Sequence, residues 1–117
     1  MIYLYAGSNC ADKGYVKENG SCPFRDWLDE LDSSIKYRVQ ARILKLRDDG
    51  YFGMAKGLGG GLYELKFKTL GGGIRLYYAM DGKTVVILLM GGNKNSQNSD
   101  INRARRFWHD YIESNKE

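Results

Sequence analysis

The run Val85-Val86-Ile87-Leu88-Leu89-Met90 is apolar at every position, and no other stretch constrains the fold as much. It is far too short to cross a bilayer. Alternation is missing, so it predicts a central β-strand covered on both sides. It ends on Gly91-Gly92 and runs into Asn93-Lys94-Asn95-Ser96-Gln97, which sets a cation at the strand exit. Upstream, residues 63–68 alternate as Tyr-Glu-Leu-Lys-Phe-Lys, and Ile74-Arg75-Leu76-Tyr77-Tyr78 alternates again after Gly71-Gly72-Gly73. Two further strands therefore send charged side chains to one face and apolar ones to the other. Three consecutive strands converge on one positively charged surface, suited to phosphate and to RNA. Asp81-Gly82, between strands at 74–80 and 84–90, is a two-residue hairpin signal.

The remaining elements follow from helical periodicity. Residues 2–6 read as a short first strand, and residues 7–21 as a long polar connector carrying Lys13 and Lys17. Pro23 suits the first helical position behind Ser21 or Cys22, and Phe24, Trp27, Leu28 and Leu31 recur at i, i+3, i+4 and i+7. Asp32-Ser33-Ser34 ends that helix and caps a second, with Ile35, Val39, Ile43 and Leu46 in one stripe and Lys36, Arg38, Arg42, Lys45 and Arg47 elsewhere. Gly50 closes it. The glycines of 57–61 read as a flexible approach to the next strand. Asn98-Ser99-Asp100 caps a last helix, with Ile101, Ala104, Trp108 and Tyr111 or Ile112 inward and Arg103, Arg105 and Arg106 outward. The order is β-α-α-β-β-β-α. The expectation is an α+β domain over 1–117, an antiparallel sheet with a helical hairpin on one face and an RNA-facing surface on the other.

At 117 residues such a domain buries roughly two thirds of its unfolded surface, so neither metal nor disulfide is required. The balance of 18 Lys+Arg against 14 Asp+Glu gives net charge +4, which permits a nucleic-acid partner without demanding one. Nine tyrosines, several beside cations, suit stacking on unpaired bases. Cys10 and Cys22 have no Cys or His at metal-ligand spacing, so two reduced thiols are expected, with no metal and no cofactor. The N-terminus lacks the pattern of a signal peptide. A soluble cytoplasmic protein, with no membrane partner, is the expectation.

Pro23-Phe24-Arg25-Asp26-Trp27-Leu28, Tyr63-Glu64-Leu65-Lys66-Phe67, Gly73-Ile74-Arg75-Leu76-Tyr77-Tyr78 and Gly91-Gly92-Asn93-Lys94-Asn95-Ser96-Gln97, with Asp100-Ile101 behind, together resemble a HigB-type toxin of the RelE/ParE superfamily. Within it the likeness is to the phage Gp49-like branch of addiction-module killer proteins, and it runs from about Pro23 to Ile112. The resemblance implies a ribosome-dependent mRNA endonuclease that inhibits translation, with ribosome and mRNA as partners. A helix-turn-helix, HigA-like antitoxin encoded beside it would neutralise it. It also implies that Lys56, Glu64, Lys66, Lys68, Arg75 and Lys94 surround the scissile phosphate, with Asn93 and Gln97 as further RNA contacts. The family's second-strand position usually reads Arg where this chain has Lys66, which gives up bidentate phosphate geometry.

RNA cleavage through its own 2′-hydroxyl needs that hydroxyl deprotonated, the charge on the phosphorus oxygens stabilised and the 5′-oxygen protonated. Arg75 and Lys94 suit the second task; Glu64 is the base candidate, ahead of His109 in the last helix, and lysines in a like-charge cluster are candidate acids. Strand parity puts Tyr77 on the face of Arg75, as a further RNA-binding candidate. The ordinary alternative for Glu64 and Lys66 is the solvated face of an amphipathic strand, and for Arg103, Arg105 and Arg106 a solvated helix face. Two rival functions remain open: a ParE-like toxin acting on gyrase, and a noncatalytic RNA-binding module.

Overall fold

The computed structural model describes residues 3–4, 17, 19–49, 55–67, 73–81 and 85–114. The elements are β1 (Tyr3–Leu4), α1 (Pro23–Glu30), α2 (Ser33–Asp49), β2 (Ala55–Gly59), β3 (Leu62–Phe67), β4 (Ile74–Asp81), β5 (Val85–Asn93) and α3 (Gln97–Ser114), with a 3-10 turn at Lys94–Ser96. They form an α+β fold around one sheet of order β1-β5-β4-β3-β2. Every pairing is antiparallel except β1 on β5, which is parallel. Gly50, Lys68 and the hairpin position Gly82 lie outside the described residues, as does most of the connector at 7–21.

The apolar run behaves as its lack of alternation requires. Val86 through Leu89 have no exposed surface and Met90 is 3% exposed, because helices cover both faces of β5. On one side Val86 and Leu88 join Leu65, Leu76 and Tyr78 against Phe24, Leu28, Val39 and Ile43 of the helical pair. On the other, Ile87, Leu89 and Met90 join Leu62, Tyr77 and Ala79 against Ala104, Phe107, Trp108 and Tyr111 of α3. A bulge makes that arrangement possible: Tyr77 pairs with Met90 but Tyr78 with Leu88, leaving Leu89 extra. Adjacent Leu89 and Met90 therefore face the same way.

Three expectations need correction. The face opposite the helical hairpin is not left open, since α3 packs on it. The glycines before β3 are not a flexible approach: Ala55–Gly59 is a strand paired with β3, and Gly59, Gly60 and Gly61 turn the hairpin at positive φ of 92°, 66° and 88°. Carbonyls of this hairpin hold α3, with Trp108 Nε1 donating to Gly60 O at 2.7 Å and Arg105 Nη2 to Leu58 O at 3.0 Å. Arg105 thus fastens the hairpin rather than merely wetting a helix face. Finally, Cys22 is disulfide-bonded, where a reduced thiol was expected.

Candidate functional site

Strand register assembles the polar residues into two rows on the face that α3 covers. Lys56 of β2 lies opposite Glu64 of β3, Glu64 opposite Tyr77 of β4, and Tyr77 opposite Met90 of β5. Beside it, Lys66 lies opposite Arg75 and Arg75 opposite Gly92. The first turn of α3 crosses over these rows and brings Gln97 and Asp100 onto them.

At the centre is a buried carboxylate. Glu64 and Arg75 are each only 4% exposed. Glu64 Oε2 accepts hydrogen bonds from Tyr77 Oη at 3.1 Å and Gln97 Nε2 at 2.8 Å, and Arg75 Nε stands 3.8 Å from the same oxygen. Arg75 Nη1 also donates to Gly73 O at 3.4 Å. Burial, followed by the charge of Glu64 and the hydrogen bond to it, pushes the Tyr77 hydroxyl well above the ordinary tyrosine range. The phenol therefore stays protonated and serves as a fixed donor to Glu64.

Sequence reasoning missed what holds the start of α3 down. A β-carbon built at Gly92 would overlap the Asp100 carboxylate, and one at Gly91 would overlap the ring of Trp27 on α1. After the β5 bulge the two glycines face opposite sides, so each admits one close neighbour. The double glycine is thus a pair of seats, one per helical layer. Asp100 is 4% exposed, accepts from Ser96 Oγ and lies 3.9 Å from Arg103 Nη1. It is not the cap expected of Asn98-Ser99-Asp100. Asn93 caps the 3-10 turn that leads into α3, its Oδ1 accepting from Asn95 N at 2.9 Å and Ser96 N at 3.1 Å, while Lys94 N donates to Gly73 O at 2.9 Å. A Gly-Gly followed by Asn-x-x-Ser was the available signal.

Of the residues singled out from sequence, Glu64, Arg75, Tyr77 and Gln97 are brought together directly. Lys56, Lys66, Asn93 and Lys94 are exposed around them. Tyr77 has no exposed surface, so it offers no ring for a base to stack on. His109 does not enter the site: its side chain is 71% exposed on α3, 4.0 Å from Glu113. Arg103 and Arg106 are exposed, and Arg103 also lies over the Phe107 ring at 5.8 Å. Among the described residues no group of three or more His, Cys, Asp or Glu could hold a metal ion, and no helix is long and apolar enough to cross a membrane.

Residues 26–108 match the family of phage-derived Gp49-like proteins (DUF891), and the chain belongs to it, as its spaced motifs imply. An uncharacterized protein of Haemophilus influenzae is 37% identical over 83 residues, covering 70% of this chain and 82% of that relative. Among solved structures, the isolated Escherichia coli RelE toxin is similar with a TM-score of 0.49 and 19% identity, over 68% of this chain and 88% of that one.

Proposed function

We propose that the chain is a HigB-type toxin of a toxin–antitoxin pair, an endoribonuclease that cuts mRNA on the ribosome in the cytoplasm, with a helix-turn-helix antitoxin as its neutralising partner. The observation that carries this reading is the exposed Lys56, Lys66 and Lys94 set around the buried Glu64, Arg75 and Tyr77 and the half-buried Gln97. Exposed lysines can meet a phosphate, and a buried, hydrogen-bonded platform keeps them from collapsing inward. Lys66 and Lys94 take the charge that develops on the phosphorus oxygens as the 2′-oxygen attacks, with Arg75 reinforcing the field from beneath. Glu64, fixed by Tyr77 and Gln97, sets the position of Arg75 on β4 and so of Lys66 beside it. The whole of 1–117 serves as one toxin domain.

The test is to incubate translating ribosomes with purified chain and map new 5′ ends. Cleavage within translated mRNA is the expected result. Lys94→Ala and Lys66→Ala should each slow the single-turnover rate about a hundredfold, the scale for losing one transition-state donor. Expression of the wild type alone should stop growth. Intact mRNA with poisoned gyrase would point to a ParE-like target instead, and intact mRNA with no arrest would overturn the toxin reading.

A further inference from the structure

Of the exposed lysines around Glu64, Lys56 and Lys66 stand on β2 and β3, whose backbones the sheet fixes, but Lys94 stands on a three-residue 3-10 turn. Such a turn is weak by itself, because its hydrogen bonds are poorly aligned. Lys94 is nevertheless held at both ends: its N–H donates to Gly73 O at 2.9 Å, and its carbonyl accepts from the Gln97 N–H. Gly73 O also accepts from Arg75 Nη1 at 3.4 Å. One carbonyl therefore ties the Lys94 backbone to the Arg75 guanidinium.

The turn is fastened in addition to Asp100. The Ser96 hydroxyl has one proton to give, and its nearest acceptor is Asp100 Oδ2; Asn93 O and Oδ1 stand farther off at 3.4 Å. With the proton on that side, the Ser96 oxygen is free to accept from Asn93 N at 3.3 Å. This closes a box with the bond from Ser96 N to Asn93 Oδ1 at 3.1 Å. We infer that Asp100 is a positioning residue: by orienting the Ser96 hydroxyl it locks the turn, and the locked turn holds Lys94 beside Arg75 so that both charges reach one phosphate. The purpose given to Lys94 rests on the nuclease reading above, whereas the lock does not. The simpler account is that Asp100, in the first turn of α3, only answers the helix dipole. An exposed acid in that turn would do as much. Asp100 is buried instead, in a space that exists only because Gly92 lacks a β-carbon. Desolvating a carboxylate is costly, and what this position gains is the contact with Ser96.

The test has two readouts on the whole chain. The first is hydrogen exchange at the Lys94 amide, which needs no RNA: Ser96→Ala and Asp100→Ala should each speed it about tenfold, as the turn opens locally, and Asp100→Asn, which keeps an acceptor for Ser96, should stay near the wild type. The second is the single-turnover rate on saturating ribosome-bound mRNA. Ser96→Ala and Asp100→Ala should each slow it about tenfold or more, since a misplacement of about 1 Å can cost about a hundredfold. In a Lys94→Ala background neither should slow it further, because both act through Lys94. A merely structural role would multiply with Lys94→Ala instead. Circular dichroism melts identify a variant that does not fold; if Asp100→Ala is one, Ser96→Ala and Asp100→Asn carry the test. Unchanged exchange at Lys94, or rate effects that multiply in the Lys94→Ala background, overturns the inference. If both single variants cut at the wild-type rate, the inference fails while the nuclease reading stands. If exchange responds as expected but the wild type cuts no RNA, the nuclease reading fails while the lock stands.

Discussion

On the α1/α2 side of the sheet, Leu65, Leu76, Tyr78, Val86 and Leu88 meet Phe24, Leu28, Val39 and Ile43, and the cluster is apolar apart from a phenol. On the α3 side, Leu62, Ala79 and Ile87 pack in the same way, yet the buried charges of the described residues, Glu64, Arg75 and Asp100, all lie on this side. The first arrangement buries few polar atoms and draws its stability mainly from apolar burial. The second is costly, since every desolvated charge must be answered by hydrogen bonds and an opposite charge. A sheet able to build one dry face could have built two. The expense is confined to the rows beneath the exposed lysines, as expected where a site rather than a core sets the residues.

The largest effect should come from leaving one of those charges unanswered. Glu64→Ala removes the carboxylate beside the buried Arg75 guanidinium and the acceptor of Tyr77 and Gln97, at a cost of about 3–5 kcal/mol. Glu64→Leu with Arg75→Met replaces the pair by hydrocarbon and should recover most of that loss, because a buried ion pair contributes little over a well-packed apolar pair. Urea denaturation of the three proteins measures it. The double variant should be stable and inactive in the mRNA cleavage assay, which would separate the two purposes of this face. A double variant that cleaves normally would remove Glu64 and Arg75 from the site altogether.

A smaller effect tests the seat rather than the charges. Gly92→Ala drives a methyl group into the Asp100 carboxylate, and overpacking of this kind costs about 2 kcal/mol. Asp100→Ala alone loses the contacts to Ser96 and Arg103. If the two residues interlock, the double variant should be less damaged than the sum of the singles, with a coupling of about 1 kcal/mol or more. Strict additivity would mean that Gly92 is needed for some reason other than room for Asp100.

Much of the dry face was legible in the sequence, because hydrophobic period reports burial directly: the stripes at Phe24, Leu28, Val39 and Ile43 and the unbroken run at 86–90 all found their places. The polar face was legible only in part. Alternation told which side Glu64, Arg75 and Tyr77 share, but a polar side chain looks the same in sequence whether water or a helix lies over it, so the cover supplied by α3 did not show. The strand at Ala55–Gly59 was hidden by glycines that disfavour a β assignment on their own and are required by the tight turn that follows. Asp100 was misread for the reverse reason. Near a helix start an acid looks like a cap, and only the missing β-carbon of Gly92 reveals it as a buried group.

The smallest effect compares the two faces through their buried tyrosines. Burial pushes both hydroxyls upward, but at Tyr77 the charge of Glu64 adds to the effect, whereas at Tyr78 the next contribution is Tyr63. Below about pH 10, the ordinary tyrosine value, both the folded and the unfolded chain hold these protons, and the stabilisation is fully present. As the pH rises further the unfolded chain releases them while the folded chain keeps them, so stability must fall, with a slope approaching about one proton per tyrosine. Tyr77→Phe and Tyr78→Phe should each flatten that decline in urea unfolding followed from pH 9 to 11. Near neutrality Tyr77→Phe should cost about 1.5 kcal/mol for the lost hydrogen bond to the Glu64 carboxylate. Glu64→Gln separates the faces, since it should lower the titration of Tyr77 and leave that of Tyr78 in place. An equal response at both tyrosines would mean that the charge of Glu64 is not felt at Tyr77.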